Sequence, residues 1–221
     1  MSDTPPPSDR ARVRRAPQRA DYGLAAIAAV LDEAVLAHVG VVDAGAPVIV
    51  PMACVRDGLR VLLHGSSASR TMRLLAAGAP CCVTVTHLDG LVHARSAFHS
   101  SMNYRSVVLQ GSATIIDDPD DKVDALRVLT DRLFPGRWSQ VRWPSASELA
   151  ATTVVAMPLT DASLKARTGP PADDPDDLAL PVWAGVVPVR ATLGDPIDAP
   201  DLTVDVEPPA HDDRFGHWLQ P

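Results

Sequence analysis

No apolar run in this 221-residue chain approaches the ~20 residues of a membrane-spanning helix, and its N-terminus lacks the apolar core of a secretory signal. These absences point to a cytoplasmic protein. Cysteine is scarce: Cys54, Cys81 and Cys82 make no disulfide framework, because the adjacent pair would project to opposite faces of one strand. They read as buried, reduced thiols. The sequence contains no GxGxxG, P-loop, HExxH, CxxC or GxSxG motif. That removes the usual signatures of dinucleotide folds, nucleotide-triphosphate sites, zinc peptidases and serine hydrolases. Lysine is almost missing, with two against eighteen arginines, and alanine and proline abound. Such a composition is associated with bacteria of high genomic GC.

What is present suffices for one core. The chain is 46% hydrophobic, enough for a single main domain at this length. Its net charge of −7 is segregated. Residues 1–20 carry five arginines against Asp3 and Asp9, a net +3, whereas residues 161–221 carry twelve acids against four bases, a net −8. The acidic C-terminal part argues against a nucleic-acid face there. Residues 1–20 lack apolar periodicity and read as a disordered or loosely draped basic tail, residues 21–190 as the folded domain, and residues 191–221 as an acidic extension.

Within the domain, Asp21 is placed to cap a helix whose Leu24, Ile27, Ala28 and Leu31 share one face. Three β-type runs follow at 35–42, 47–54 and 59–64, separated by DAGA and VRDG, which are hairpin chemistry. A short helix near 70–77, β-type runs at 81–88, 90–98 and 104–116, a helix over 118–133, a shorter one over 145–151 and a strand at 153–159 complete the pattern. The segment 182–189 reads as strand or buried extended chain. Strands in consecutive hairpins with few helices predict a mainly β (α+β) fold, a small antiparallel barrel with helices at its rim. A doubly wound parallel sheet would need a helix between most strands.

Two segments concentrate chemistry. HGSSASR (64–70) sits between a strand and a helix, where free backbone N–H groups, the hydroxyls of Ser66, Ser67 and Ser69 and the charge of Arg70 suit a phosphate. A serine N-cap on a helix that binds nothing is the plain alternative. SSMNYRSVVLQG (100–111) offers donors, acceptors, an aromatic face and a cation in Asn103, Tyr104, Arg105 and Ser106, as recognition of a flat polar heterocycle requires. A well-bonded loop with an anchored tyrosine is its alternative. His64, His87, His93 and His99 follow no zinc-binding spacing, so no metal site is read from them, although one histidine could ligate haem. Trp183, in a short apolar segment after a Pro/Asp-rich loop, is placed either to stack on a ligand or to fill core.

HGSSASR, LDGLVHARSAFHSSMNYRSVVLQGSA, SLKARTGPP and VWAGVVP occur in an order that resembles the pyridoxamine 5'-phosphate oxidase-like FMN-binding split-barrel proteins. The likeness runs over roughly residues 19–190 and is closest to the branch with nitroimidazole-resistance proteins. The resemblance implies a six-stranded antiparallel split β-barrel that forms a homodimer with FMN at the interface. Carried over by position, it implies that His64, Gly65, Ser66, Ser69 and Arg70 hold the FMN phosphate. Asn103, Tyr104, Arg105 and Ser106 would then lie near the isoalloxazine, and the backbone of Val48, Ile49, Val50, Pro51 and Met52 would face its pyrimidine edge. His64 matches a histidine that nitroimidazole-resistance relatives place beside the flavin. The true oxidases carry a basic residue late in their second strand and an arginine-bearing C-terminal segment. Here those places read PVIVPMAC and DDRFGHWLQP, so pyridoxamine phosphate is not inferred as substrate. The expectation is an oxidoreductase moving electrons from a reduced donor to a small organic acceptor, with a non-catalytic flavin- or haem-binding protein as the alternative.

Overall fold

The computed structural model describes residues 4–208; the terminal DDRFGHWLQP lies outside them. Local chemistry sets the elements. The run Leu36–Asp43 (β2) turns through Ala44 and Gly45, both at positive φ (48° and 82°), into Ala46–Asp57 (β3). Two left-handed residues give a hairpin turn whose twist matches that of the strands. A second hairpin through Gly58, φ 58°, leads into Arg60–Ser66 (β4). The helix Arg70–Ala76 (α2) starts at Ser69, whose side chain accepts the Met72 N–H, and Gly78 at φ 75° follows its end. The helix Pro119–Leu133 (α3) has Pro119 in its first turn, and the Asp118 side chain accepts from the N–H groups of Asp120 and Asp121. In the short helix Ala146–Ala151 (α4), Ser145 and Glu148 form a reciprocal capping box.

One expectation at the N-terminus needs correction. Asp21 does not cap the first helix. It belongs to the two-residue strand Ala20–Asp21 (β1) and accepts the Gly23 N–H, while Gly23 occupies the N-cap of Leu24–Asp32 (α1). The buried face of α1 is Ile27, Val30 and Leu31, with Leu24 half-exposed. Upstream, the stretch read as a loose basic tail lies against the barrel: Ala11 is buried, Ser8 Oγ donates to Asp161, and Gln110 donates to the Arg10 carbonyl.

Pro80–His93 (β5) is one long strand where two were expected, continuous through a register shift between Leu88 and Gly90. It pairs with Ser101–Ser112 (β6), which Thr114–Ile115 (β7) continues. Thr152–Pro158 (β8), Ala162–Arg167 (β9) and Gly185–Pro188 (β10) complete the sheet. All pairings are antiparallel, in the order β1-β9-β6-β5-β2-β3-β4-β8-β7, with β10 against β5. Because β7 prolongs β6 and pairs with β8, the circuit β2-β3-β4-β8-β7/β6-β5 closes. Six strand paths therefore close the barrel, and β1, β9 and β10 extend it into a ten-stranded sheet, so the antiparallel barrel holds while the strand count exceeds the six expected.

The barrel interior holds Val39, Val61, Leu63, Val83, Val107, Leu109, Val155 and Met157, all at 0% exposure, under Ile27 and Leu31 of α1 and Met72 and Leu75 of α2. A second cluster under α3 joins Val55, Leu62 and Val154 to Ala125 and Leu129. Strand β4 is thus buried on both faces, which explains its unbroken VLL run. Each such side chain contributes about 1.5–3 kcal/mol on leaving water. A Cβ on Gly65 would lie 2.9 Å from Met72 Cγ, so glycine there lets α2 seat on the end of β4.

Candidate functional site

The turn between β4 and α2 takes the shape expected of it, but much of its polarity is already engaged. Ser67 N–H donates to the Ala151 carbonyl, Ser69 N–H to the Ser66 carbonyl, and Ala68 N–H to Ser66 Oγ. The Ser69 hydroxyl serves the helix as its cap. What still faces solvent is Ser66, Ser67 and Arg70, whose side chain is 62% exposed and pairs with Asp43 at 3.1 Å. An anion arriving here would compete with one half-buried aspartate for an exposed arginine, a contact worth about 1 kcal/mol.

His64 lies one residue before the turn, opposite Val154 of β8. Its Nδ1 is buried without a hydrogen-bond partner, and burial pushes its pKa below the usual histidine value. The imidazole is therefore neutral at neutral pH. A buried ring nitrogen without a partner costs about 1–3 kcal/mol, a cost native proteins usually tolerate at sites with a further role.

The Asn103–Ser106 stretch sits on β6, and the structure gives most of it structural partners. Asn103, 8% exposed, donates Nδ2–H to the Gly169 carbonyl at 3.0 Å and accepts at Oδ1 from Arg167. Arg167, 9% exposed, also donates to the Pro170 carbonyl. Arg105 forms two parallel hydrogen bonds to Asp89, at 3.0 and 2.9 Å, and a third to Glu33 at 2.9 Å. Burial raises the Glu33 carboxyl to about 7 against the opposing pull of Arg105. Ser106 Oγ donates to the Val85 carbonyl and lies 2.9 Å from Thr86 Oγ1. Tyr104, half-buried, stands opposite Leu88 on one side and Arg167 on the other. Beside this stretch, where the chain enters β1 along the edge of β9, a cavity of about 540 Å³ opens between Arg19, Asp21, Ala166 and Arg167. Sequence reading missed it, because the only signal was the TGPP that follows β9.

On β3, Ile49 is 67% exposed, Pro51 is exposed, and Val48, Val50 and Met52 are half-buried. Trp183 is 64% exposed with its ring 5.5 Å from that of His93. A Cβ on Gly185 would lie 2.7 Å from the Trp183 ring, so this glycine allows the indole to fold back over β10. Of the expected cofactor residues, one chain gathers His64, Gly65, Ser66, Ser69 and Arg70 at one barrel end and Asn103 to Ser106 on another strand. In the sheet, β3 and β6 are separated by β2 and β5. At about 4.8 Å per strand step, Val48–Met52 and Asn103–Ser106 lie some ~14 Å apart along the sheet. The other histidines divide by partner: His87 Nε2 meets the Val30 carbonyl at 3.1 Å, His99 Nε2 meets Asp174 at 3.1 Å, and His38 stands exposed on β2. Among the described residues no group of three or more His, Cys, Asp or Glu side chains could hold a metal ion on its own, and no helix is long and apolar enough to cross a membrane.

Comparison with solved structures finds the flavocytochrome Anf3 from Azotobacter vinelandii, 44% identical over 92% of this chain and 95% of that one, with a TM-score of 0.88. The FAD and haem binding protein from Mycobacterium smegmatis is 41% identical over 86% of this chain and 94% of that one, with a TM-score of 0.83. A structure assigned as a 5-nitroimidazole antibiotic resistance protein from Bacteroides thetaiotaomicron shares the fold at 19% identity, covering 66% of this chain and 86% of that one, with a TM-score of 0.55. A comparison with curated proteins finds no match. The family model for pyridoxamine 5'-phosphate oxidase matches residues 24–166, from the start of α1 almost to the end of β9. A closed six-path barrel, a serine-capped turn leaving β4 and this match over most of the ordered chain agree: the protein belongs to the pyridoxamine 5'-phosphate oxidase family.

Proposed function

We propose that this chain is a redox protein that carries a flavin and a haem, takes electrons from a reduced donor and delivers them to a small acceptor. The observation that carries the reading is the near full-length identity, above 40%, to two proteins named for those cofactors. The residues fit. Ser66, Ser67 and the solvent-facing guanidinium of Arg70 would hold the flavin phosphate, with His64 just before them, its Nδ1 buried and unpartnered. FMN is the flavin implied by the sequence resemblance. The name of the mycobacterial relative carries FAD and makes the dinucleotide the better supported choice. A bound flavin accepts two electrons and releases them singly, which suits transfer to a one-electron haem. The chain supplies orientation, donors at the phosphate and exclusion of water.

A second copy of the chain fits the outer sheet face. Across β3, β2, β5 and β6 the rows Pro51–His38–Thr84–Val108 and Ile49–Gly40–Cys82–Gln110 run in register. Ile49, Val42 and Leu36 stand 67%, 61% and 50% exposed on the same two strands, β3 and β2. A homodimer on this face would bring one chain's Asn103–Ser106 stretch to its partner and so supply what the strand separation denies a single chain. The test is the purified protein. Flavin absorbance together with a Soret band, FAD released on denaturation and a dimer in sedimentation support the reading; a chain that fails to retain either added flavin or added haemin overturns it. Release of FMN instead of FAD would restore the first choice of flavin.

A further inference from the structure

A guanidinium withdrawn from water needs an anion to balance it, and the fold meets that need at most of its covered arginines. Among the described arginines that are not exposed, Arg56, Arg95, Arg105 and Arg132 each pair with a carboxylate. Arg19 and Arg167 do not, and both line the cavity of about 540 Å³ beside β9. Arg167 is 9% exposed, and its partners are neutral: the Asn103 amide oxygen and the carbonyls of Gly169 and Pro170. Arg19, half-buried on the turn Pro17–Arg19 that leads into β1, has no side-chain hydrogen bond or ion pair among the described residues.

The rest of the wall narrows the ligand. Asp21 brings one carboxylate, with one oxygen on the Gly23 N–H, so two guanidiniums against one carboxylate suit a monoanion better than a dianion. Leu164 and Ala166 line the cavity with hydrocarbon, and its volume is that of a small-molecule pocket. The parallel N–H groups of a guanidinium match the two oxygens of a carboxylate. We propose that this cavity binds a small monocarboxylic acid with an apolar body, its carboxylate held by Arg19 and Arg167. No residue of β4 or of the turn into α2 lines it, so the site is separate from the flavin-phosphate groups and independent of the cofactor reading. Such a ligand would also tie the N-terminal segment to β9, which otherwise pairs with it only through Ala20–Lys165 and Asp21–Leu164.

Titration calorimetry of the full chain as purified, at low salt, tests this with benzoate, its neutral counterpart benzamide and the dianion phenyl phosphate. Benzoate should bind, benzamide about tenfold or more weakly, and phenyl phosphate no tighter than benzoate. Arg19→Ala should weaken benzoate about tenfold or more, as loss of a charge-assisted hydrogen bond does, and it removes a side chain that the fold does not use. Bound benzoate should slow amide hydrogen exchange in residues 18–21 and 164–168 and leave the absorbance of bound flavin unchanged. Absence of benzoate binding, equal binding by Arg19→Ala, or protection of residues 64–70 in place of β1 and β9 overturns the proposal. Tighter binding of phenyl phosphate overturns the choice of a carboxylate, and release of flavin by benzoate overturns a separate site.

Discussion

Replacing Asn103 with alanine should destabilise the protein far more than it weakens any ligand, because the structure has already given the amide two buried tasks. Its Oδ1 accepts from the Arg167 guanidinium, and its Nδ2–H donates to the Gly169 carbonyl at 3.0 Å, with both side chains under 10% exposed. A hydrogen bond to a charged group contributes about 1.5–3 kcal/mol and a neutral one about 0.5–1.5 kcal/mol. Arg167 keeps the Pro170 carbonyl at 3.2 Å, so its charge is not wholly stranded and the loss should be about 2–4 kcal/mol. For a domain of this size that lowers Tm by roughly 4–16 °C. The assay is urea unfolding of the full chain at unchanged slope, with flavin affinity followed by fluorescence. Asn103→Asp should retain most of the stability, because it keeps the acceptor facing Arg167 and gives up only the donor to Gly169. A stability loss below about 0.5 kcal/mol together with a tenfold fall in flavin affinity would refute the argument and return Asn103 to the flavin contact that its sequence position suggests.

Three further outcomes follow from the same geometry. Glu33 titrates near 7 in the folded chain, raised first by burial, so the folded state binds its proton more tightly than the unfolded one; stability should fall as pH rises from about 4.5 to about 7 and then level off. Glu33→Gln should flatten that descent by about 1 kcal/mol, a figure discounted for solvent contact, and parallel urea midpoints for the two proteins across that window would refute it. Gly185→Ala should push the Trp183 indole off His93, because the new Cβ lies 2.7 Å from the ring; an emission difference that persists in a Trp183→Phe background would refute the assignment to that indole. Arg70→Ala should weaken flavin binding by about 1.5–3 kcal/mol at low salt, and less as salt rises. Asp43→Ala, which frees Arg70, should leave affinity equal or tighter, and unchanged affinity in Arg70→Ala moves the phosphate elsewhere.

The barrel was legible because its strands are spelled in alternating or continuous β-branched runs with turn residues at both hairpins. The strands that escaped were those whose stability comes from neighbours. In β9, ASLKAR places Lys165 and Arg167 in a six-residue run, and no strand is read there from the sequence. Yet Ala162 to Leu164 are buried against β6, and Arg167 is held by Asn103 and the carbonyls beyond it. Strand β5 looked like two runs because Asp89-Gly90 is turn chemistry. A Cβ at Gly90 would meet Val186 Cγ1 at 2.8 Å, so the glycine serves the close approach of β10 and the chain passes straight through. Tertiary pairing outweighed local propensity in both cases.

The same distinction governs the site. A sequence shows which side chains can donate or accept, but not which of those bonds the fold has already used. Arg105 looked like a cation waiting for a flavin; it holds Asp89 and Glu33 and joins β6 to β5 and to the end of α1. Ser69 looked like a phosphate donor, and its hydroxyl caps α2. The groups still available are fewer and more specific: Ser66, Ser67 and an exposed Arg70 at one end of β4, and beside them a neutral histidine with one nitrogen sealed and unpartnered. The commitments also carry information, because a cation paired with Asp89 and with a Glu33 raised to about 7 orients a strand while adding little positive field of its own. Arg105 therefore fixes where β6 sits, and the electrostatics seen by a bound anion come mainly from Arg70 and the turn. A charge swap at Arg105 should then act on stability, and one at Arg70 on binding.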